Sequence, residues 1–187
     1  MPGIDEAREF VPLKIAVLTV SDTRSLKDDK SGALLVQRIV SAGHFASERG
    51  LVADDVESIR AKVKAWIADP MVDVIITTGG TGFTGRDVTP EAIEPLFDKK
   101  MDGFSALFLV ISFPKIGTSA IQSRATAGVA NATYIFCLPG SPGACKDAWD
   151  EILVHQLDYR FGPCNFVEIM PRLDEHLRRG KMKGATV

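Results

Sequence analysis

The sequence predicts an α/β fold built on a mostly parallel β-sheet with helices on both faces. Three observations carry that expectation. Apolar, β-branched runs such as KIAVLTV at Lys14–Val20 and Val74-Ile75-Ile76 read as buried strands. Segments with helical apolar spacing separate such runs, so strand and helix alternate along the chain. Glycine-rich turns join strand to helix, above all residues 77–90, TTGGTGFTGRDVTP.

Residues 1–12 read as a short polar arm, and Lys14–Val20 as the first strand. Residues 21–31 (SDTRSLKDDKS) form a polar loop. Over 32–42, Leu34, Leu35, Ile39 and Ala42 share one helical stripe, and Gly43 is a C′ stop. Residues 46–52 are expected as a short strand. Asp54 with Glu57 three residues on resembles a capping arrangement, opening a helix that buries Ile59, Val63, Trp66 and Ile67. Asp69-Pro70 ends it, and a strand is expected over 72–77.

After the glycine loop, Thr89 as N-cap and Pro90 at N1 start a helix expected over 90–97. Gly103 separates it from a helix with Phe104, Leu107, Phe108 and Ile111 on one side, and Gly117-Thr118 caps a short helix through Arg124. Residues 125–130 and 133–138 are expected as strands of a hairpin turning at Asn131-Ala132. Leu138-Pro139-Gly140-Ser141-Pro142-Gly143 is a second strand-to-helix turn, with Ser141 as N-cap and Pro142 at N1, before a helix to about Leu157.

At 187 residues, with 45% hydrophobic and 25% charged residues, the chain suits one globular domain. That domain is expected over 13–170, between the arm and a basic tail at 171–187 that reads as solvated or, alternatively, as a subunit or polyanion contact. A net charge of −2 argues against a nucleic-acid partner, and no apolar run is expected to reach the length of a membrane span. Cys137, Cys145 and Cys164 lack zinc-like spacing and fit reduced thiols of a cytoplasmic protein. Cys137 reads as core. Cys145 lies near a helix N-terminus that could lower its pKa, but packing is the simpler reading. His44, His155 and His176 lie far apart without a partner motif, and no nucleophile–base set can be assembled.

Four glycines at 79, 80, 82 and 85 leave backbone N–H groups open to an anion. Gly80-x-Gly82-x-x-Gly85 matches the dinucleotide fingerprint as a string, but Pro90 opens the helix too late for that geometry. No Lys-Ser/Thr follows, which excludes a Walker A loop. A purely structural turn is the remaining alternative. Ligands of parallel α/β sheets bind beyond the carboxyl ends of the strands, where the loops at Ser21-Asp22, Asp54-Asp55, 79–82 and 138–143 should meet. Helix N-termini at Pro90 and Pro142 favour a phosphorylated ligand there. Asp54 and Asp87 would repel bare phosphates, a conflict that Mg²⁺ held by one or two carboxylates would remove. Each also has a structural reading as a helix cap or, for Asp87, a partner of Arg86.

TTGGTG with RDVTPEAI, the Ser123-Arg124 pair and LPGSPGACKDAWDEILVHQLD together resemble the MoaB/MogA family of molybdenum cofactor biosynthesis proteins. TVSDTRS, DDKSG and GTSAIQSRATAGVAN extend the resemblance over about residues 13–165, and PGSPGACKDAWDEIL with Pro163-Cys164-Asn165-Phe166 is closest to the MoaB branch. The resemblance implies a three-layer αβα sandwich and a homo-oligomer, a hexamer in MoaB-like proteins and a trimer in MogA-like ones. It implies binding of molybdopterin, Mg-ATP-dependent adenylylation of its terminal phosphate with release of pyrophosphate, and a partner protein for metal insertion. Carried over by position, Asp54 and Asp87 are the acids associated with activity. Gly79, Gly80, Thr81 and Gly82 match the nucleotide-side loop, with Ser21, Asp22 and Ser31 near the nucleotide, and Pro139, Gly140 and Ser141 match the pterin side. Some MoaB-branch members look inactive and differ at RDVTP, which leaves a non-catalytic molybdopterin-binding paralogue as the alternative. This chain keeps Arg86-Asp87-Val88-Thr89-Pro90 and an acid at 54, which favours an enzyme.

Overall fold

A computed structural model of the protein describes residues 2–175; the rest of the basic tail, 176–187 with His176, lies outside the described residues. In chain order the elements are β1 (Gly3–Ile4), β2 (Lys14–Val20), α1 (Lys30–Ser41), β3 (Phe45–Val52), α2 (Val56–Ile67), β4 (Val74–Thr78) and α3 (Thr89–Ile93). Then come β5 (Lys99–Lys100), α4 (Asp102–Ile116), β6 (Thr126–Ala130), β7 (Thr133–Leu138) and α5 (Pro142–Ala148). α5 continues through a π-helical turn, Trp149–Leu153, into α6 (Val154–Gln156), before β8 (Phe161–Gly162) and α7 (Phe166–Ile169).

Six strands form the central sheet in the order β3-β2-β4-β7-β6-β5. The first four are mutually parallel, and β6 and β5 add antiparallel at one side. Residue alternation along the strands makes the three layers. Ile15, Val17, Val74, Ile76, Tyr134 and Phe136 face a core with Leu35, Ile39, Phe104, Phe108 and Trp149, under α1, α4 and α5. Ala16, Leu18, Ile75, Ile135 and Cys137 face the other side, against Ile59, Val63 and Trp66 of α2 and Ile93 of α3. Strands buried on both faces read as continuous apolar runs, which is why β2 and β4 were visible in sequence. The hairpin turns where expected, with Asn131 (φ 45°) and Ala132 (φ 65°) in the left-handed pair that a two-residue turn between twisted strands requires.

Several expectations need correction. Asp55, not Asp54, caps α2, its carboxylate accepting from the Ser58 N–H at 2.8 Å. Thr89 is the first residue of α3 rather than a side-chain cap, and α3 gives way to a 3₁₀ turn at Glu94–Leu96. Gly103 lies inside α4 rather than before it, and the short edge strand β5 had no sequence signal. The polar arm is paired: β1 joins β8 in a separate two-stranded sheet, and Arg8 donates to the Tyr159 carbonyl at 2.9 Å. The reading that no run reaches a membrane span also changes. Asp102–Gln122 is long and apolar enough by length and composition, because α4 runs directly into a 3₁₀ turn, Gly117–Gln122, rather than stopping before a separate helix. One side of α4 packs through Phe104, Phe108 and Ser112, while Leu107, Val110, Phe113 and Ile116 are exposed.

Candidate active site

The strand order reverses at β2, whose neighbours β3 and β4 lie on opposite sides, and a crevice opens beyond the carboxyl ends of β2, β4 and β7. There the loops enclose a cavity of about 480 Å³. Of the residues singled out from sequence, Ser21, Asp54, Gly79, Gly80, Thr81, Gly82, Asp87, Pro139, Gly140 and Ser141 all line it. Asp22 and Ser31 do not. They stand behind the lining and hold it.

The first loop is joined to the β3–α2 turn by a reciprocal pair of bonds. The Asp22 N–H donates to Asp54 Oδ2 at 2.9 Å, and the Asp54 N–H donates to Asp22 Oδ1 at 3.1 Å. Capping by Asp55 leaves the Asp54 carboxylate for this role, with Oδ1 toward the glycine loop. Asp22 Oδ2 accepts from Arg86 Nε and Nη2 at 2.8 and 2.7 Å, so the tip of the glycine loop is pinned to the first loop.

Gly79 (φ 108°) and Gly80 (φ 63°) hold backbone that an L side chain rarely adopts. A Cβ on Gly79 would sit 2.1 Å from the Val20 carbonyl oxygen, and one on Gly80 2.4 Å from Thr89 Oγ1 and 2.9 Å from Asp54 Oδ1. Thr89 straps this turn: its hydroxyl donates to the Gly79 carbonyl and its N–H to the Gly80 carbonyl, both at 2.9 Å. Asp87 folds back under the loop, where Oδ2 accepts from the Thr84 N–H at 2.9 Å and the Thr84 hydroxyl at 2.6 Å.

On the third side, Pro142 and the Ser141 cap open α5, the Ser141 hydroxyl accepting from the Ala144 N–H at 3.2 Å. The buried Ser31 hydroxyl donates to the Gly140 carbonyl at 2.7 Å, and Arg24 Nη1 donates to the same oxygen at 3.1 Å. The Thr78 hydroxyl donates to the Pro139 carbonyl at 2.9 Å. A Cβ on Gly140 would be 3.3 Å from Gly79 Cα, so the two turns pack backbone against backbone.

The three carboxyls are tuned apart. Burial raises the Asp54 carboxyl, and the charges of Asp22 and Asp87 raise it further against the Asp22 hydrogen bond. Burial also acts upward on Asp87, but bonds from Thr84 and Gly82 and the Arg124 charge bring it below its ordinary value. The hydrogen bond from Arg86 lowers Asp22. Asp54 and Asp87 therefore put two acids on the wall of one cavity. Among the described residues no three His, Cys, Asp or Glu side chains gather as a closed metal cage. This donor set fits Mg²⁺, which binds through one or two carboxylates and completes its shell with water and ligand oxygens.

Sequence reasoning missed Thr23, Arg24, Ser119, Gln122 and Ser123 on the cavity wall. Thr23 and Arg24 belong to the first loop already placed at this edge and Ser123 to the Ser123-Arg124 motif, whereas Ser119 and Gln122 come from the 3₁₀ turn after α4, whose approach to the crevice no local spacing encodes. Cys145 packs under the Pro139 turn, 3.1 Å from Thr78 Oγ1, and burial pushes its thiol up to about 11, so it is not an activated nucleophile. A larger cavity of about 680 Å³ lies beyond Arg124, beside α4. Its acids, Glu91 and Glu94, are paired with Arg124 and Lys100, and it holds none of the open glycine backbone.

A family model described as a probable molybdopterin binding domain matches residues 16–159. Molybdenum cofactor biosynthesis protein B of Escherichia coli (strain K12) is 51% identical over 158 residues, covering 84% of this chain and 93% of that protein. A crystal structure of a molybdenum cofactor biosynthesis protein B superposes with a TM-score of 0.78 at 41% identity, over 80% of this chain and 94% of that one. The tungsten cofactor synthesizing protein MoaB from Pyrococcus furiosus superposes with a TM-score of 0.66 at 35% identity, over 76% of this chain and 91% of that one.

Proposed function

The chain belongs to the MoaB/MogA family of molybdenum cofactor biosynthesis proteins, and from that premise we propose that it adenylylates molybdopterin with Mg-ATP, releasing pyrophosphate. The observation that carries the reading is the meeting of Asp54 and Asp87 with the open glycine turn on one cavity wall. The Pro139-Gly140-Ser141 turn lines the same cavity beside the glycine turn, which supports a pterin phosphate and a nucleotide meeting there.

In this reading the terminal phosphate oxygen of molybdopterin attacks the α-phosphorus of ATP. A new P–O bond forms there, the bond to the β-phosphate bridging oxygen breaks, and pyrophosphate leaves with that electron pair. The attacking phosphate is already deprotonated, which agrees with a cavity wall that carries no histidine among the described residues. Mg²⁺ held by Asp54 and Asp87 would neutralise charge at the attacking and leaving oxygens. The chain's own part is positioning. Gly80 and Gly82 let phosphate approach the backbone, Asp22 and Arg86 tie the two nucleotide-side loops, and Ser31 and Thr78 fix the pterin-side turn.

The proposal includes a cytoplasmic homo-oligomer, a hexamer in preference to a trimer, that hands its product to a metal-insertion partner. The outward residues Leu107, Val110, Phe113 and Ile116 of α4 are the apolar surface that a second copy would cover. The test is pyrophosphate release from purified protein with molybdopterin, ATP and Mg²⁺, with Asp87→Ala alongside. Turnover that falls about 100- to 1,000-fold in the variant supports the reading. Tight molybdopterin binding without pyrophosphate from either protein would make this a binding paralogue.

A further inference from the structure

We infer that Arg124, outside the carboxylate pair and the glycine turn, is the positioning residue that sets the shape of loop 81–87 and so the place of Asp87. The inference rests on the proposed reaction only for its kinetic consequence; the geometric claim stands on the free protein.

Arg124 sits at the entrance to β6, anchored by the buried Ala125 and Thr126 that follow it. Its backbone N–H donates to the Thr81 carbonyl at 3.0 Å. Its Nε donates to the Gly82 carbonyl at 2.8 Å and more weakly to the Thr81 carbonyl at 3.3 Å. Nη2 donates to the Asp87 carbonyl at 2.8 Å, and Nη1 pairs with the Glu91 carboxylate. One guanidinium therefore holds carbonyls from both ends of the loop and closes it into a ring. Within that ring, the Asp87 carboxylate takes its bonds from Thr84 and from the Gly82 N–H, all groups of the loop itself, so its place follows the shape of the loop.

The direction of these bonds matters as much as their number. In a planar trans peptide the N–H points opposite to the preceding C=O. Turning the Thr81 carbonyl toward Arg124 therefore turns the Gly82 N–H away from it, to the side where that N–H helps to hold the Asp87 carboxylate below its ordinary pKa. Holding the Gly82 carbonyl likewise directs the Phe83 N–H away from Arg124. A planar guanidinium fork holds donors on separate nitrogens at fixed angles to these carbonyls, whereas the three donors of lysine share one nitrogen on a flexible stem. Arg124→Lys thus keeps the charge opposite Glu91 and removes the fork.

Amide hydrogen exchange on the free protein, wild type against Arg124→Lys, reads the geometric claim directly. Exchange at residues 82–87 is expected to rise at least about tenfold while Val74–Thr78 keeps its protection. In the pyrophosphate assay, the Mg²⁺ concentration giving half-maximal rate is expected to rise about tenfold and kcat to fall about 10- to 100-fold, with KM for molybdopterin within about twofold, because misplacement by about an ångström has that scale of cost. Unchanged loop protection would overturn the inference. So would protection lost evenly along the chain, or an unfolded variant, either of which would give Arg124 a global role. A wild-type protein without turnover would overturn the reaction instead, leaving the exchange comparison to decide on Arg124.

Discussion

Two glycines five residues apart in one loop should respond oppositely to alanine. Gly80 has φ 63°, and its added Cβ would lie 2.4 Å from Thr89 Oγ1, 2.9 Å from Asp54 Oδ1 and 3.3 Å from Val20 Cγ1. Left-handed backbone costs a non-glycine residue about 1–2 kcal/mol. Moving the Thr89 hydroxyl aside forfeits its bond to the Gly79 carbonyl, worth about 1 kcal/mol. Gly80→Ala should therefore destabilise the chain by about 2–3 kcal/mol, or about 4–12 °C in Tm for a domain of this size. Gly85 meets nothing within 4 Å and has no positive φ, so Gly85→Ala should be neutral or stabilising by up to about 1 kcal/mol. Urea and thermal midpoints of the two variants measure this contrast. Because the Gly80 Cβ presses on Asp54, that variant should also lose at least about tenfold in pyrophosphate release. Equal stability for the two variants, or a Gly80→Ala loss under about 1 kcal/mol, would refute the strained-turn reasoning.

Further outcomes follow from the carboxyls and the thiols. Burial and the charges of Asp22 and Asp87 raise the Asp54 carboxyl, so the folded chain holds that proton more tightly than the unfolded chain does. Ionised Asp54 therefore costs stability above its folded pKa, and the cost vanishes as pH falls below the ordinary carboxylate value. Asp54→Asn can keep the acceptor for the Asp22 N–H. It should match or exceed wild-type Tm at about pH 7, lose that advantage on acidification, and lose about 100- to 1,000-fold in activity. A lower Tm at neutral pH would contradict this assignment. Burial pushes the Cys137 and Cys145 thiols up to about 12 and about 11, whereas Cys164 is exposed. A thiol reagent at neutral pH should modify Cys164 alone in the folded chain and all three after denaturation; labelling of Cys145 at a rate similar to Cys164 would be inconsistent with its packing.

The parts of this fold legible in sequence are those where local chemistry and tertiary structure agree. Strands β2 and β4 are buried on both faces and so show as apolar runs; Asn131-Ala132 and Ser141-Pro142 carry turn and cap chemistry that survives in the structure. Asp54 misled because two adjacent aspartates could cap α2, and only the tertiary bond from Asp22 decides that Asp55 does so. Thr89 misled for a related reason, since its hydroxyl serves the distant Gly79 carbonyl rather than its own helix. The pairing of β1 with β8 and the reach of Arg124 to loop 81–87 depend on contacts far apart in the chain, which no local spacing encodes. The candidate site was legible as a set of loops because strand ends in a parallel sheet share one edge; the hydrogen bonds that lock those loops together were not.

The most direct test of adenylyl transfer follows the label from [α-³²P]ATP after incubation with molybdopterin, Mg²⁺ and the purified chain. Label covalently attached to the pterin is expected, with unlabelled pyrophosphate released in equal amount. Label confined to ATP, or recovered in ADP with no pterin adduct, would contradict adenylyl transfer.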